Sequence, residues 1–234
     1  MVIAIVGAGG KTTVGSHIGK QLSAMGRRVL LTTTTKIAMP EGEAVFLGNA
    51  ADINARAGYM VAAQRQLPGG KLQGYSAQDI RAIARSGLFD DIVVEADGAA
   101  RKPVKAPNET EPVYPASVDL IIGVVGMDCL GQPVSAAHVH RPELFCAVTG
   151  AHDGEPISAR HIIRLFIHPD GLFRHAPACV QRVVFLNKSD TMDATAQTQA
   201  ADIIRLSPFT VMLTGYDRDW FSGFYRRFAD ADTG

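Results

Sequence analysis

The sequence predicts an α/β fold, a mostly parallel sheet with flanking helices. Short continuous apolar runs recur along the chain, residues 2–6, 92–94 and 183–186 among them, the pattern of strands buried on both faces. Stretches with helical spacing alternate with these runs, which is the order of βαβ units. The first run passes directly into a glycine-rich loop and then a helix, where an open α/β sheet receives its ligand.

The elements follow in order. Residues 2–6 form a strand that stops at Gly7, and residues 12–25 form a helix with Ile18 and Leu22 four apart and Gly26 as its stop. Strands are expected at 28–33 and 43–47. Residues 59–66 and 71–75, joined through Pro68-Gly69-Gly70, read as a hairpin. Ser76 caps a helix over 76–85, with Asp79 as the acidic partner three residues on. A strand at 91–95 precedes an irregular stretch at 100–115 that contains Pro103, Pro107, Pro112 and Pro115. A strand at 119–125, short helices at 142–148 and 158–166, a strand at 180–186, a helix at 194–206, a strand at 211–213 and a closing helix at 220–228 complete the chain. Residues 127–178 are helical and hold six of the seven histidines, so they read as a small insertion within a single domain spanning 1–234.

Composition narrows the function. Lys plus Arg and Asp plus Glu are 23 each, which argues against a general nucleic-acid binder. No apolar run approaches the ~20 residues of a membrane span, and the first run has no basic region ahead of it, so a signal peptide is not expected. Cys129, Cys146 and Cys179 are an odd number without a C-x-x-C, which argues against a disulfide framework and fits a reducing cytoplasm.

The loop Gly7-Ala8-Gly9-Gly10-Lys11-Thr12-Thr13 carries the main chemical signal. Small residues let backbone N–H groups close around an anion, and the following helix N-terminus adds partial positive charge. Lys11 would reach β- and γ-phosphate oxygens, and Thr12 would hold Mg²⁺ through its hydroxyl. The common form G-x-x-x-x-G-K-[ST] would need glycine where Ile5 stands, so the loop is G-x-x-G-K-T-T, which resembles the shortened phosphate loop of Mur ligases. A dinucleotide fingerprint would need glycine at Thr12 and an acidic end to the second strand, which instead ends in Thr32, Thr33, Thr34, Thr35 and Lys36. One of these threonines is a candidate for γ-phosphate or metal, and Lys36 for transition-state charge.

Downstream, Asn187-Lys188-Ser189-Asp190 ends an apolar strand as N-K-x-D, the guanine-recognition pattern of GTP-binding proteins. The Asp190 carboxylate would accept from guanine N1–H and its exocyclic amine, and a site built on such bonds discriminates by ~10⁴. Lys188 would lie along the base, and Thr214-Gly215 would offer a backbone contact. The same four residues are also ordinary turn chemistry. Glu95-Ala96-Asp97-Gly98 ends another apolar strand in the Walker B manner, with the metal role open between Glu95 and Asp97. Arg101 and Lys102, and His138, His140 and Arg141, are candidates for a substrate or partner. The histidine pair also suits a metal or proton relay.

Together with Lys105-Ala106-Pro107 and His138-Val139-His140-Arg141-Pro142-Glu143, these motifs resemble the YqeC-like family of selenium-dependent hydroxylase accessory proteins, in order over nearly the whole chain. The resemblance implies a P-loop NTPase-like fold and a role in maturing selenium-dependent molybdenum hydroxylases. The leading expectation is a cytoplasmic Mg²⁺-dependent GTPase, with ATP the less favoured nucleotide. Its partners would be a molybdenum hydroxylase or its cofactor-assembly machinery, with a second copy of the chain also a candidate. The alternatives are a P-loop small-molecule kinase or ligase using ATP or GTP, and a nucleotide-bound delivery factor that does not hydrolyse.

Overall fold

The computed structural model describes residues 1–40, 42–54, 58–216 and 219–228. Along the chain run β1 (Val2–Gly7), α1 (Lys11–Ala24), β2 (Val29–Thr33), β3 (Lys36–Ala38), β4 (Val45–Leu47), β5 (Tyr59–Ala63), β6 (Arg65–Gln66), β7 (Lys71–Gln73) and α2 (Ala77–Arg85). Then come β8 (Asp91–Glu95), β9 (Val104–Lys105), β10 (Leu120–Gly126), β11 (Val139–His140), α3 (Pro142–Thr149) and α4 (Ala159–Ile167). The last elements are β12 (Gln181–Asn187), α5 (Ala194–Leu206), β13 (Thr210–Leu213) and α6 (Phe221–Phe228).

Eight strands form one sheet in the order β13-β12-β10-β1-β8-β2-β5-β4, and every neighbouring pair is parallel. The strands β1, β8 and β10 are buried along their whole length, so β1, β10 and the middle of β8 are apolar without alternation. Successive side chains still take opposite faces. Ile3 and Ile5 pack with Leu31, Val93, the α1 residues Val14, Ile18 and Leu22, and the aromatic rings of α6. Ala4 and Val6 face the other way, into a core shared with Cys129, Phe145, Ile162, Leu165 and Ile203. Residues 127–178 therefore pack on the sheet through that common core. Complete burial of Ile18 and Leu22 stabilises α1 on the sheet by ~1.5–3 kcal/mol each.

The α2 boundary is where its chemistry places it. Ser76 Oγ accepts from the Asp79 N–H at 3.1 Å, and the Asp79 carboxylate accepts from the Ser76 N–H at 3.1 Å.

Three local expectations change. The hairpin over 59–66 and 71–75 is split: β5 joins the main sheet beside β2, and only β6 pairs with β7. The second strand ends at Thr33, the expected end of 28–33, but residues 34–36, also placed at its end, leave it. The Thr33 hydroxyl donates to the Glu95 carbonyl at 2.8 Å and receives the Thr35 N–H at 3.0 Å, which turns the chain into β3. Antiparallel pairing of β3 with β7 then builds a separate three-stranded sheet, β3-β7-β6. The irregular stretch 100–115 also contains β9, which pairs with β11.

Candidate active site cleft

The chain runs outward from β1 to one side through β2, and later to the other side through β10. Ligands of open α/β sheets sit at such a reversal, outside the carboxyl ends of the strands. A cleft of about 1450 Å³ lies there, lined by the loop at 9–13, the residues after β2 and β8, and the β3–β7 sheet. Eight Lys and Arg side chains line it against three glutamates. The net charge of zero thus hides a concave surface of net positive charge, which concentrates anions.

The loop backbone is closely held. Gly9 has φ +83°, and a Cβ there would lie 2.2 Å from the Gly126 nitrogen, so only glycine fits. The N–H groups of Gly7, Ala8 and Gly9 donate to Asp97 Oδ2 (3.0 Å), the Val124 carbonyl (2.9 Å) and the Lys102 carbonyl (3.0 Å). These amides lock the loop to the sheet. Beyond them, Gly10, Lys11, Thr12 and Thr13 line the cleft at the start of α1, whose first-turn N–H groups have no intrahelical partner. Acidic residues are absent from that turn.

Lys11 is buried, and its ammonium donates to the Gly7 carbonyl at 2.7 Å. It lies 3.4 Å from Glu95 Oε1 and 3.2 Å from Asp97 Oδ1. Burial opposes its charge, but Asp97 and Glu95 outweigh burial and hold it above the ordinary lysine value. The two carboxylates occupy different positions. Glu95 lines the cleft, and its Oε2 accepts from the Thr12 hydroxyl at 2.7 Å. Asp97 is 1 % exposed and lies behind the loop, with Oδ2 2.9 Å from Lys105 Nζ.

From Asp97 an ion network leads outward. Lys105 is buried, donates to the Gly98 carbonyl at 2.6 Å, and lies 2.9 Å from Glu111 Oε2. Arg141 Nη1 donates to the same oxygen at 2.6 Å. Burial works against ionising Glu111, but Arg141 and Lys105 prevail and hold its carboxyl down at about 2. His140 lines the cleft. Burial, with Arg141 and Lys105 beside it, keeps its imidazole below the ordinary histidine value.

Asn187 joins the far side of the site to the loop. Its Nδ2 donates to the Gly9 carbonyl at 2.8 Å, and its Oδ1 accepts from the Thr214 hydroxyl at 3.0 Å. The Thr214 backbone is engaged as well, its N–H on the Leu186 carbonyl and its own carbonyl on the Ser189 N–H, both at 3.0 Å. Lys188, in the left-handed conformation at φ 60°, lines the cleft and donates to Asp128 Oδ2 at 2.6 Å. Asp190 is exposed beside Gly215, where a Cβ would lie 2.2 Å from its Oδ1.

Of the residues singled out in the sequence, the fold brings Gly9, Gly10, Lys11, Thr12, Thr13, Lys36, Glu95, Arg101, Lys102, His140, Arg141 and Lys188 to one cleft. Gly7, Ala8, Asp97, Asn187 and Thr214 support it from behind. His138 and Asp190 stand outside its lining. Among the described residues, no three His, Cys, Asp or Glu side chains gather as a metal cluster. Thr12 and Glu95 do present a hydroxyl and a carboxylate oxygen together at the cleft wall, a hard-oxygen pair of the kind that holds Mg²⁺ beside phosphate. Sequence reasoning missed Glu111, in irregular chain, and Asp128, in a single 3-10 turn, neither with a periodic or motif signal, and Lys71, which reads as a hairpin residue.

The fold and cleft define an α/β protein of P-loop NTPase-like architecture. More narrowly, the chain belongs to the YqeC family: the family model described as "YqeC protein" matches residues 3–143. The protein "Uncharacterized protein YqeC" of Escherichia coli (strain K12) is 35% identical over 206 residues, covering 85% of this chain and 80% of the relative. No helix among the described residues is long and apolar enough to cross a membrane.

Proposed function

We propose that the protein is a Mg²⁺-dependent GTP-binding protein with GTPase activity, an accessory factor in maturation of selenium-dependent molybdenum hydroxylases. The observation that carries the nucleotide reading is Lys11, buried between Glu95 and Asp97 at the first turn of α1, beside an open cation-lined cleft. Binding a triphosphate would exchange those carboxylate partners for β/γ-phosphate oxygens, while the first-turn amides of α1 receive the anion. Thr12 and Glu95 are the residues that would hold Mg²⁺, which when bound would neutralise charge on the phosphate oxygens. Asp97 positions Lys11 and the Gly7 amide from behind. Catalysis of this kind is positioning and electrostatics.

Guanine preference rests on the N-K-x-D pattern at the end of β12 and on the Asn187 tie between that strand and the loop. The hydroxylase pathway rests on the family resemblance alone.

Calorimetric titration with GTP and ATP, each with and without Mg²⁺, tests the reading. GTP should bind once per chain and need Mg²⁺ for full affinity. Lys11→Ala should weaken it at least tenfold, and Asp190→Asn should lower GTP affinity while raising that for xanthosine triphosphate. Equal affinity of the Lys11→Ala variant and the parent would remove the proposal.

A further inference from the structure

The β3–β7 wall of the same cleft has a construction the phosphate loop does not use. Register places Lys36 opposite Gln73 and Ala38 opposite Lys71 across the β3–β7 pair. Residues directly opposite share a face of a sheet. Ile37 and Leu72 take the other face, buried with Ala63 in a small core of their own. The face that remains, Lys36, Ala38, Lys71 and Gln73, lines the cleft. Arg101 lines it too, from the turn after β8, with φ 59° beside Ala100 at φ 47°. Two successive non-glycine residues in the left-handed region are strained, and such strain clusters at ligand clamps.

Charge separates this end from the rest. Lys11, Lys20, Arg141 and Lys188 each face a carboxylate, and Lys102 donates to the Ala137 carbonyl. Among the described residues Lys36, Lys71 and Arg101 form no ion pair. Three cations with no ion pair among the described residues, from three segments, thus face one concave space. That space of about 1450 Å³ exceeds the ~300–1,000 Å³ of ordinary single-ligand pockets.

We propose that the β3–β7 platform and Arg101 bind a second small molecule carrying a phosphate group, next to the nucleotide. The proposal rests on the nucleotide reading for what fills the inner end. Lysines serve phosphate as point charges, and the arginine fork matches its oxygens. A nucleic acid is disfavoured because the chain carries no surplus of positive charge outside this concavity.

The test uses the full chain saturated with Mg²⁺ and a non-hydrolysable GTP analogue, titrated with inorganic pyrophosphate and, separately, with malonate. Pyrophosphate should bind once per chain and more tightly than malonate. Lys71→Gln, a change at an exposed position, should weaken pyrophosphate at least fivefold while analogue affinity stays within twofold. Gln73→Glu, which adds a negative charge to the same face, should weaken it as well. Absence of pyrophosphate binding, indifference to both variants, or malonate binding as tightly would each overturn the proposal. If the analogue itself fails to bind, the proposed function falls, and the platform is read on the free protein. Pyrophosphate binding that depends on Lys71 and not on Lys11 sustains the platform, and dependence on Lys11 alone overturns it.

Discussion

Asn187 Nδ2 donates to the Gly9 carbonyl oxygen at 2.8 Å, joining residues 178 positions apart. This bond ties the end of β12 to the loop after β1, holding the two motif-bearing segments against each other. Both partners are buried, and the same amide accepts from the Thr214 hydroxyl.

Asn187→Ala leaves the Gly9 carbonyl and the Thr214 hydroxyl without this partner. A buried polar group that loses its partner costs about 1–3 kcal/mol. Urea unfolding should show the unfolding free energy lowered by that amount, read as a lower midpoint with an unchanged slope. A midpoint equal to the parent's would show that the tie carries no stability.

Gly9 and Gly26 have nearly the same backbone angle, φ +83° and φ +86°, but different surroundings. Nothing lies within 4 Å of a Cβ at Gly26, whereas at Gly9 it would meet the Gly126 nitrogen at 2.2 Å and the Pro103 carbonyl oxygen at 2.7 Å. Both alanine variants bear the left-handed cost of roughly 1–2 kcal/mol. Gly9→Ala should lose ~1–3 kcal/mol more, the range for overpacking. Denaturation of the two variants side by side isolates the close approach of the loop to the end of β10.

Glu111 supplies a pH dependence of known sign. Its carboxyl is held at about 2 in the folded chain against an ordinary value of 4.5, with burial opposing and Arg141 and Lys105 prevailing. A folded value below the unfolded one stabilises the fold above the unfolded value. That contribution is lost as pH falls through the folded one. The stability gap between the parent and Glu111→Gln should therefore be widest above pH 4.5 and should close by about pH 2. Thermal melts of both proteins across that window check it. A gap that stays constant with pH would mean the carboxylate charge is not what Arg141 and Lys105 hold.

The parts of this fold that a reader of the sequence recovers are those set by near neighbours. The buried strands announce themselves through the apolar runs at Ile3–Val6 and Val183–Leu186, and the start of α2 through Ser76 and Asp79. The loop Gly7–Thr13 and the strand-end carboxylates Glu95 and Asp97 are legible because their chemistry fits within a few residues. Lys36 shows the limit. Its threonine neighbours read as one strand, but the Thr33 hydroxyl bonds across to the Glu95 carbonyl and turns the chain, so Lys36 joins a different sheet.

The sequence alone determined the alternation of strand and helix and the chemical types at each strand end, since both follow from local periodicity and turn chemistry. Tertiary structure decided which charges meet: Arg141 with Glu111 across 30 positions, Lys188 with Asp128 across 60, and Lys11 with Glu95 rather than with open water. Coulomb attraction depends on distance in space, and only the assembled sheet, by bringing remote strand ends to one edge, sets those distances.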